Sequence, residues 1–295
     1  MEREAVFDLS YLPLKIVLRA EHYAELPPYL GSALRGVIGQ SLYRTNRQAY
    51  DFLYANGKSQ NGEKDILNPY MIVPPKPCHP KTVVRQGELL EFQMVLFGQA
   101  SAYALSLVKA LKNIGQYGLG AQRYPFYLEF IGNRCSNRAI WRNGQYYEAG
   151  ICQEILSCRQ LEQVAGAIIQ LQTPLRIRRR GQLVTSVSFP AFMRNITKRI
   201  GAITERYGGW VNQTEIEKIL VLAEHIQLVK EDLHLEHLER YSNRLQEKMD
   251  FSGLMGEIEF AGDITPFVPW LSAAEVLHIG RNTTFGMGQV EVLFL

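Results

Sequence analysis

The residues of this chain best suited to chemistry are cations, glycines and short hydroxyl or amide side chains, grouped as a phosphate-holding surface would need them. Near the C-terminus, His278-Ile279-Gly280-Arg281-Asn282-Thr283-Thr284-Phe285-Gly286-Met287-Gly288 sets three glycines about one arginine. Glycine lets the backbone turn tightly, turn its N–H groups outward and admit a close approach. Gly280, Gly286 and Gly288, with Arg281, Asn282, Thr283 and Thr284, therefore read as a connector that suits an anion. Residues 175–180 read as a strand, whose alternation puts Arg176, Arg178 and Arg180 on one face. On an amphipathic helix at 190–207, Arg194 and Lys198 lie four apart with Arg199 beside them. Three basic groupings in one half of the chain favour a polyanion. The 15 tyrosines supply rings on which unpaired bases stack, so RNA is the natural candidate.

Other chemistries lack their signatures. The glycines follow a helix and precede a strand, the reverse of a nucleotide-binding loop, and their spacing matches neither a P-loop nor a dinucleotide fingerprint. No paired carboxylates or HxxxH pattern points to a metal hydrolase, and no GxSxG elbow to an acyl-transfer nucleophile. Neither a metal nor a cofactor is expected. His225, His234 and His237 are expected to be structural or solvent-facing. Cys78, Cys135, Cys152 and Cys158 form no CxxC pair and read as reduced thiols of a cytoplasmic protein. The first residues hold no basic-then-apolar leader and no apolar run reaches membrane-spanning length, so neither export nor a membrane partner is expected. A net charge of +3 is too mild to announce nucleic acid, and the grouping of the cations carries that inference instead.

A chain of 295 residues with 46% hydrophobic content is long enough for two domains. Residues 12–19 form an apolar, β-rich strand, and Leu26-Pro27-Pro28 sets up a helix to about residue 43, from which Arg35 projects. Gly31, Gly36 and Gly39 each cost that helix about 1 kcal/mol relative to alanine, which suits a place where another backbone comes close. A short helix at 47–55 carries Tyr50, Phe52 and Tyr54 and runs into a polar loop at 57–65. Pro74, Pro75, Pro77 and Pro80 then keep the chain extended past Cys78 and His79. A strand at 91–97, a helix at 101–113, a strand at 123–131 and a hairpin turning on Asn143-Gly144 follow. In the second half, a helix at 160–170 gives way at Pro174 to the strand at 175–180. The 190–207 helix buries Phe192, Ile196, Ile200 and Ile203 and ends at Gly208-Gly209. The next helix opens on a capping box, Thr214 with Glu217. A strand at 256–261, a helix within 264–277 and a strand at 289–295 complete the chain.

The two ends share one order of parts. Strand, helix and glycine loop lead to a strand in each, and Tyr117-Gly118-Leu119-Gly120 answers Phe285-Gly286-Met287-Gly288. The matched lengths of 98–114 and 262–279 imply an internal duplication. The expected fold class is α+β, two tandem ferredoxin-like (RRM-like) βαββαβ modules with a C-terminal Gly-rich loop, divided as 1–150 and 151–295.

The run Gly253-Leu254-Met255-Gly256-Glu257-Ile258-Glu259-Phe260-Ala261-Gly262-Asp263, then Pro266-Phe267, then 278–288, closely resembles the C-terminal signature of the CRISPR-associated repeat-processing endoribonucleases of the RAMP superfamily. Tyr29-Leu30-Gly31-Ser32-Ala33-Leu34-Arg35-Gly36, the helix at 189–199 and Arg240-Tyr241-Ser242-Asn243-Arg244 extend it along the chain and add Arg35 and Arg244 to the RNA-binding set. The resemblance implies a partner in CRISPR repeat RNA or precursor crRNA, with effector-complex subunits as further partners and a monomer or homodimer as the working form. It also implies metal-independent cutting, in which the ribose 2'-OH attacks the adjacent phosphate to leave a 2',3'-cyclic phosphate and a 5'-OH. Such chemistry wants a base at the 2'-OH, an acid at the leaving oxygen and a cation for the developing charge.

Related chains commonly place a histidine on the first helix or just beyond it. Here 28–70 holds none, and Gln40, which exchanges no proton, stands about where it is often found. Activity then falls to His22, His79, His278 or a tyrosine such as Tyr43, or is absent. His22 and Tyr23 rank first because they follow the first strand. His278 takes the place of a glycine often found at the front of the loop. Two alternatives stay open: a subunit of the same architecture that holds RNA without cutting it, and an RNA-binding protein unrelated to CRISPR.

Overall fold

The computed structural model describes residues 5–55, 67–75, 83–156, 159–242 and 247–295. The expected loop at 57–65, Pro77, Cys78, His79, Pro80, Cys158 and Arg244 lie outside them. The chain divides into two compact units. An N-terminal unit comprises Leu9–Ile155 with Arg206–Gly208, and a C-terminal unit comprises Met1–Asp8, Leu156–Glu205 and Gly209–Leu295.

The N-terminal unit runs β1 (Ser10–Ala20), α1 (Gly31–Thr45), α2 (Arg47–Leu53), β2 (Tyr70–Val73), β3 (Leu89–Phe97), α3 (Ala104–Lys112), β4 (Phe126–Asn133), β5 (Ala139–Arg142) and β6 (Gln145–Tyr146). Its sheet order is β2-β3-β1-β4-β5-β6, every pair antiparallel. The first four strands have the ferredoxin-like order. Alternate positions Leu12, Leu14, Ile16 and Leu18 of β1 are buried with Leu34, Ile38 and Leu42 of α1 and Leu107 and Leu111 of α3. The strand period of two and the helical spacing thus meet in one core. Asn143 and Gly144 both have positive φ, as the two-residue hairpin turn expected there requires.

The C-terminal unit runs β7 (Gly166–Leu175), α4 (Phe189–Tyr207), α5 (Gln213–Ala223), β8 (Gln227–Glu236), β9 (Gly253–Ala261), α6 (Val268–Leu277) and β10 (Val290–Phe294), in the sheet order β8-β9-β7-β10. This is the same order again, so both halves of the chain are ferredoxin-like. Phe189 of α4 packs edge-on against Phe260 of β9 and Phe267, at centroid distances of 5.0 and 4.8 Å. No helix among the described residues is long and apolar enough to cross a membrane. β8 is an edge strand, exposed along nearly its whole length, with Lys230, Glu231 and Asp232 at its middle.

Several expectations need correction. Residues 166–170 are the start of β7, not the end of a helix, because Ala167, Ile169 and Leu171 alternate inward with period two. Pro174 lies within β7, at a register shift between Leu171 and Leu175 where a ladder donor is dispensable. Residues 175–180 are therefore the end of a strand followed by a hairpin: Arg178–Arg179 pairs with Gln182–Leu183 across a turn at Arg180 and Gly181, both with positive φ. α1 begins at Gly31, after the two prolines. α5 is capped by Asn212, whose side chain accepts from the amides of Thr214 and Glu215, so Thr214 is not the cap.

Candidate nucleic-acid interface

In the C-terminal unit, α6 ends at His278, a non-glycine residue at φ 58° and ψ 169°. The loop that follows is closed at its base by the Ile279 amide donating to the Gly288 carbonyl at 2.8 Å. β7 holds it from one side. The amides of Arg281 and Gly288 donate to the carbonyls of Arg176 and Pro174, and the Thr173 hydroxyl donates to Gly286 O while accepting from the Gln289 amide.

Each glycine has an internal reason to be one. A Cβ on Gly288 would lie 1.7 Å from Ile279 O, and one on Gly280 2.6 Å from Arg176 O. Both residues, like Gly286, have positive φ. Thr283, Gly286 and Gly288 are buried, so the surface that the loop presents is its front: half-buried Gly280 and Asn282, exposed Arg281 and half-buried Thr284. The close approach that the glycines allow is to the protein's own backbone.

The expected stripe Arg176/Arg178/Arg180 does not exist as a face. Arg176 is 3% exposed, bonds to the Ser252 carbonyl and reaches Asp250 Oδ2 at 3.1 Å, joining 250–252 to the foot of the loop. Burial alone would raise the Asp250 carboxyl, but hydrogen bonds from Ser252 and Arg176 bring it down to about 2. Arg178, Arg179 and Arg180 stand exposed on the hairpin two to four residues beyond the carbonyl that anchors Arg281. The cluster is thus Arg281 with three consecutive arginines. Strand alternation turns Arg179 away from the expected face, which is why it escapes a reading of the sequence, although Arg-Gly after a basic run is itself a turn signal.

On α4, Arg194 is exposed and faces Glu224 at 3.3 Å, and Lys198 is exposed. Arg199 is not available to a ligand. It is 5% exposed, donates from Nε to the Leu277 carbonyl at 2.6 Å and so caps the C-terminus of α6, with its pKa lowered by burial to about 9. His278 lies beside it, wholly buried, with Nδ1 3.3 Å from Met287 O. Burial, and then the Arg199 charge, lower the His278 pKa to about 3, which holds the imidazole neutral and removes it from proton transfer near neutral pH. His225, His234 and His237 are exposed.

In the N-terminal unit, His22 and Tyr23 occupy the exposed turn after β1. The Tyr23 hydroxyl donates to Glu25 Oε1 at 2.8 Å, and that bond raises its pKa, so the phenol keeps its proton. Tyr43 is on α1, 44% exposed, with the Arg47 guanidinium 4.4 Å from its ring centre. Tyr43 and Arg35 line a cleft of about 420 Å³ between α1 and α2, which His22 and Tyr23 do not line. Gln40 lines it and, among the described residues, no histidine does. Gly39 admits the Tyr54 ring, whose Cε1 would be 2.6 Å from a Cβ there, whereas a Cβ on Gly36 would meet nothing within 4 Å. Among the described residues, then, what comes nearest Gly39 is a side chain rather than the second backbone expected there, and nothing comes near Gly36.

Residues 169–290 match the family model described as CRISPR-associated endoribonuclease Cas6, and residues 9–152 match one described as an N-terminal domain. No curated protein matches the chain. Among solved structures it resembles a chain of a partial Cas6-RT-Cas1–Cas2 complex, at 12% identity and TM-score 0.62 over 97% of this chain and 46% of that one. It thus spans about half the length of that relative. A Cas6 product complex is similar at 14% identity and TM-score 0.62, covering 96% of this chain and 100% of that one. A Cas6 from Thermus thermophilus is similar at 14% identity and TM-score 0.58, covering 97% and 99%. At these identities the structures speak for the fold.

Proposed function

We propose that this chain, whose residues 169–290 match the family model described as CRISPR-associated endoribonuclease Cas6, is a repeat-processing endoribonuclease of the RAMP superfamily that binds CRISPR repeat RNA and cuts precursor crRNA within the repeat. The supporting observation is the loop within those residues: its rear half is fixed to β7, while Arg281 and the arginines at 178–180 project to solvent. Fixed backbone with exposed guanidiniums is what bidentate phosphate binding needs. Arg35, Arg194 and Lys198 add charge to the same task, with Gly280, Asn282 and Thr284 as short polar contacts. Thr283, Gly286, Gly288, Arg176 and Arg199 shape and support that surface from inside.

The cut proceeds without metal. The 2'-oxygen attacks the adjacent phosphorus, an O2'–P bond forms, and the P–O5' bond breaks to give a 2',3'-cyclic phosphate and a 5'-OH. His22, exposed on its turn and bearing the one side chain type that exchanges protons readily near neutrality, takes the 2'-OH proton. Tyr23, whose bond to Glu25 keeps its phenol protonated, donates to O5'. Tyr43 is the alternative donor.

A second reading, an RNA-holding subunit that does not cut, is favoured by Gln40 standing in the α1/α2 cleft with no histidine there among the described residues. Labelled repeat RNA incubated with the protein in EDTA separates the two. Products ending in cyclic phosphate are expected, and His22→Ala should slow their formation by about 100-fold or more while RNA affinity holds. Bound but intact RNA would leave the holding subunit.

A further inference from the structure

We propose that Cys135 and Cys152 form an oxidation site of the N-terminal unit, where hydrogen peroxide converts two thiols into a disulfide that clips the turn after β4 to the extended segment beyond β6. Both are free thiols exposed to solvent. Cysteine is ordinarily among the most buried residue types, so neither position is explained by packing.

One side chain holds the two backbones together. Asn133, at the end of β4 and 1% exposed, accepts at Oδ1 from the amides of Cys135 at 2.9 Å and Ser136 at 3.0 Å, and donates from Nδ2 to the Cys152 carbonyl at 2.8 Å. Those two atoms belong to a single planar amide, so the main chains of both cysteines meet on it.

The thiols turn toward a common neighbour. Glu154 pairs with Tyr11 of β1, and alternation puts Cys152 on the side of that ladder from which Tyr11 and Glu154 project. Gln153, between them, turns the other way, its amide donating to the Gly98 carbonyl and to the Ser101 hydroxyl. The Cys135 thiol is hydrogen-bonded to the Tyr11 phenol, with Arg134 and Glu154 as the flanking charges. The Cys152 thiol itself is only weakly engaged, at 3.7 Å from the Gln153 carbonyl. A disulfide requires Cα atoms within about 7 Å of each other, a separation that two main chains sharing one amide can reach.

The steps balance. The Cys135 thiolate attacks one oxygen of the peroxide, the O–O bond breaks, and the departing hydroxide takes a proton to become water. Burial, and then the charge of Cys135, push the Tyr11 phenol up to about 12, so it stays protonated and can donate to that oxygen. The Cys152 thiolate then attacks the sulfenic sulfur, an S–S bond forms, the S–O bond breaks and a second water leaves. Two thiols lose two electrons in all, and one peroxide becomes two waters. The bridge closes a loop that contains β5 and β6, fastening the outer edge of the N-terminal sheet.

The test treats the full chain with hydrogen peroxide, counts free thiols, and maps peptides without reduction. Two of the four thiols should disappear, a peptide joining Cys135 to Cys152 should be found, and dithiothreitol should restore both. The oxidised chain should unfold at a temperature about 5 °C above the reduced one, a difference that Cys152→Ser should abolish. In Cys152→Ser, peroxide should leave a sulfenic acid at Cys135 that dimedone traps. Four thiols surviving peroxide, dimedone trapping Cys135 in the wild type with no joined peptide, or a bridge from either residue to Cys78, to Cys158 or to a second chain would each overturn the proposal.

Discussion

The chain holds one topology twice, and its two glycine loops have gone separate ways. In the N-terminal copy, Gly118 is needed because a Cβ would lie 2.1 Å from Arg123 O, within the same short loop. Gly120, the counterpart of Gly288, has only ordinary contacts to Leu26, Glu25 and Pro27. In the C-terminal copy the loop is pinned to β7 and bordered by the arginine hairpin. Its charge stands at the loop, whereas the N-terminal unit carries its cations and rings on α1 and α2. Duplication supplies two scaffolds, and the side chains added to each divide the work. Under the proposed function, phosphate contacts would concentrate on the C-terminal copy and the proton carriers on the N-terminal one.

The largest test of that contrast is steric. Gly288→Ala forces a Cβ against Ile279 O at φ 71° and should cost roughly 4 kcal/mol in chemical denaturation. Gly120→Ala, at φ 77° but without a clash, should cost about 1–2 kcal/mol. Equal losses would erase the distinction between the loops.

Next comes acid sensitivity. His278 has its pKa lowered in the fold to about 3 from the ordinary histidine value of 6.5. Its contribution is therefore fully present above pH 6.5 and declines as pH falls toward 3. Between pH 7 and 5 this residue alone should remove about 2 kcal/mol of stability. In His278→Gly, which also relieves the positive φ, that component should vanish from the pH dependence of unfolding. An unchanged slope would mean the imidazole titrates normally.

The smallest effect expected is at Arg281. Arg281→Ala should weaken RNA binding by about tenfold and lower the slope of log affinity against log salt by about 0.7 for every single-strand phosphate it no longer neutralises. The same substitution at Arg123, on the N-terminal loop, should leave the slope closer to wild type. Matching losses would show that both loops grip phosphate.

What is legible in the sequence is local. The periodicities of α1, α3 and α4, the Asn143-Gly144 turn and the repeated strand-helix-loop-strand order depend on neighbouring residues, and they lead to the ferredoxin-like pair. The helix expected at 160–170 fails because Gln160-Leu161-Glu162-Gln163 has helical composition, yet the strand that follows is set by pairing with β9 and β10. Which arginines meet solvent is not legible either. Arg176 is taken inward by Asp250 and Ser252, and Arg199 by Leu277, partners far along the chain. Glycine in the sequence suggests space for a ligand, but at Gly280 and Gly288 it is space for the fold. At Gly36, by contrast, the glycine faces open solvent in a cleft.

The bare edge of β8 bears on how copies of this chain avoid one another. Two such edges laid side by side in opposite directions would bring Glu231 and Asp232 of each against those of the other. Glu231 is moreover engaged by the Ser186 hydroxyl at 2.8 Å and the Val187 amide at 3.1 Å. Extending the sheet would confront carboxylates with carboxylates and disturb these bonds, so the strand's own charges guard against fibrillar stacking.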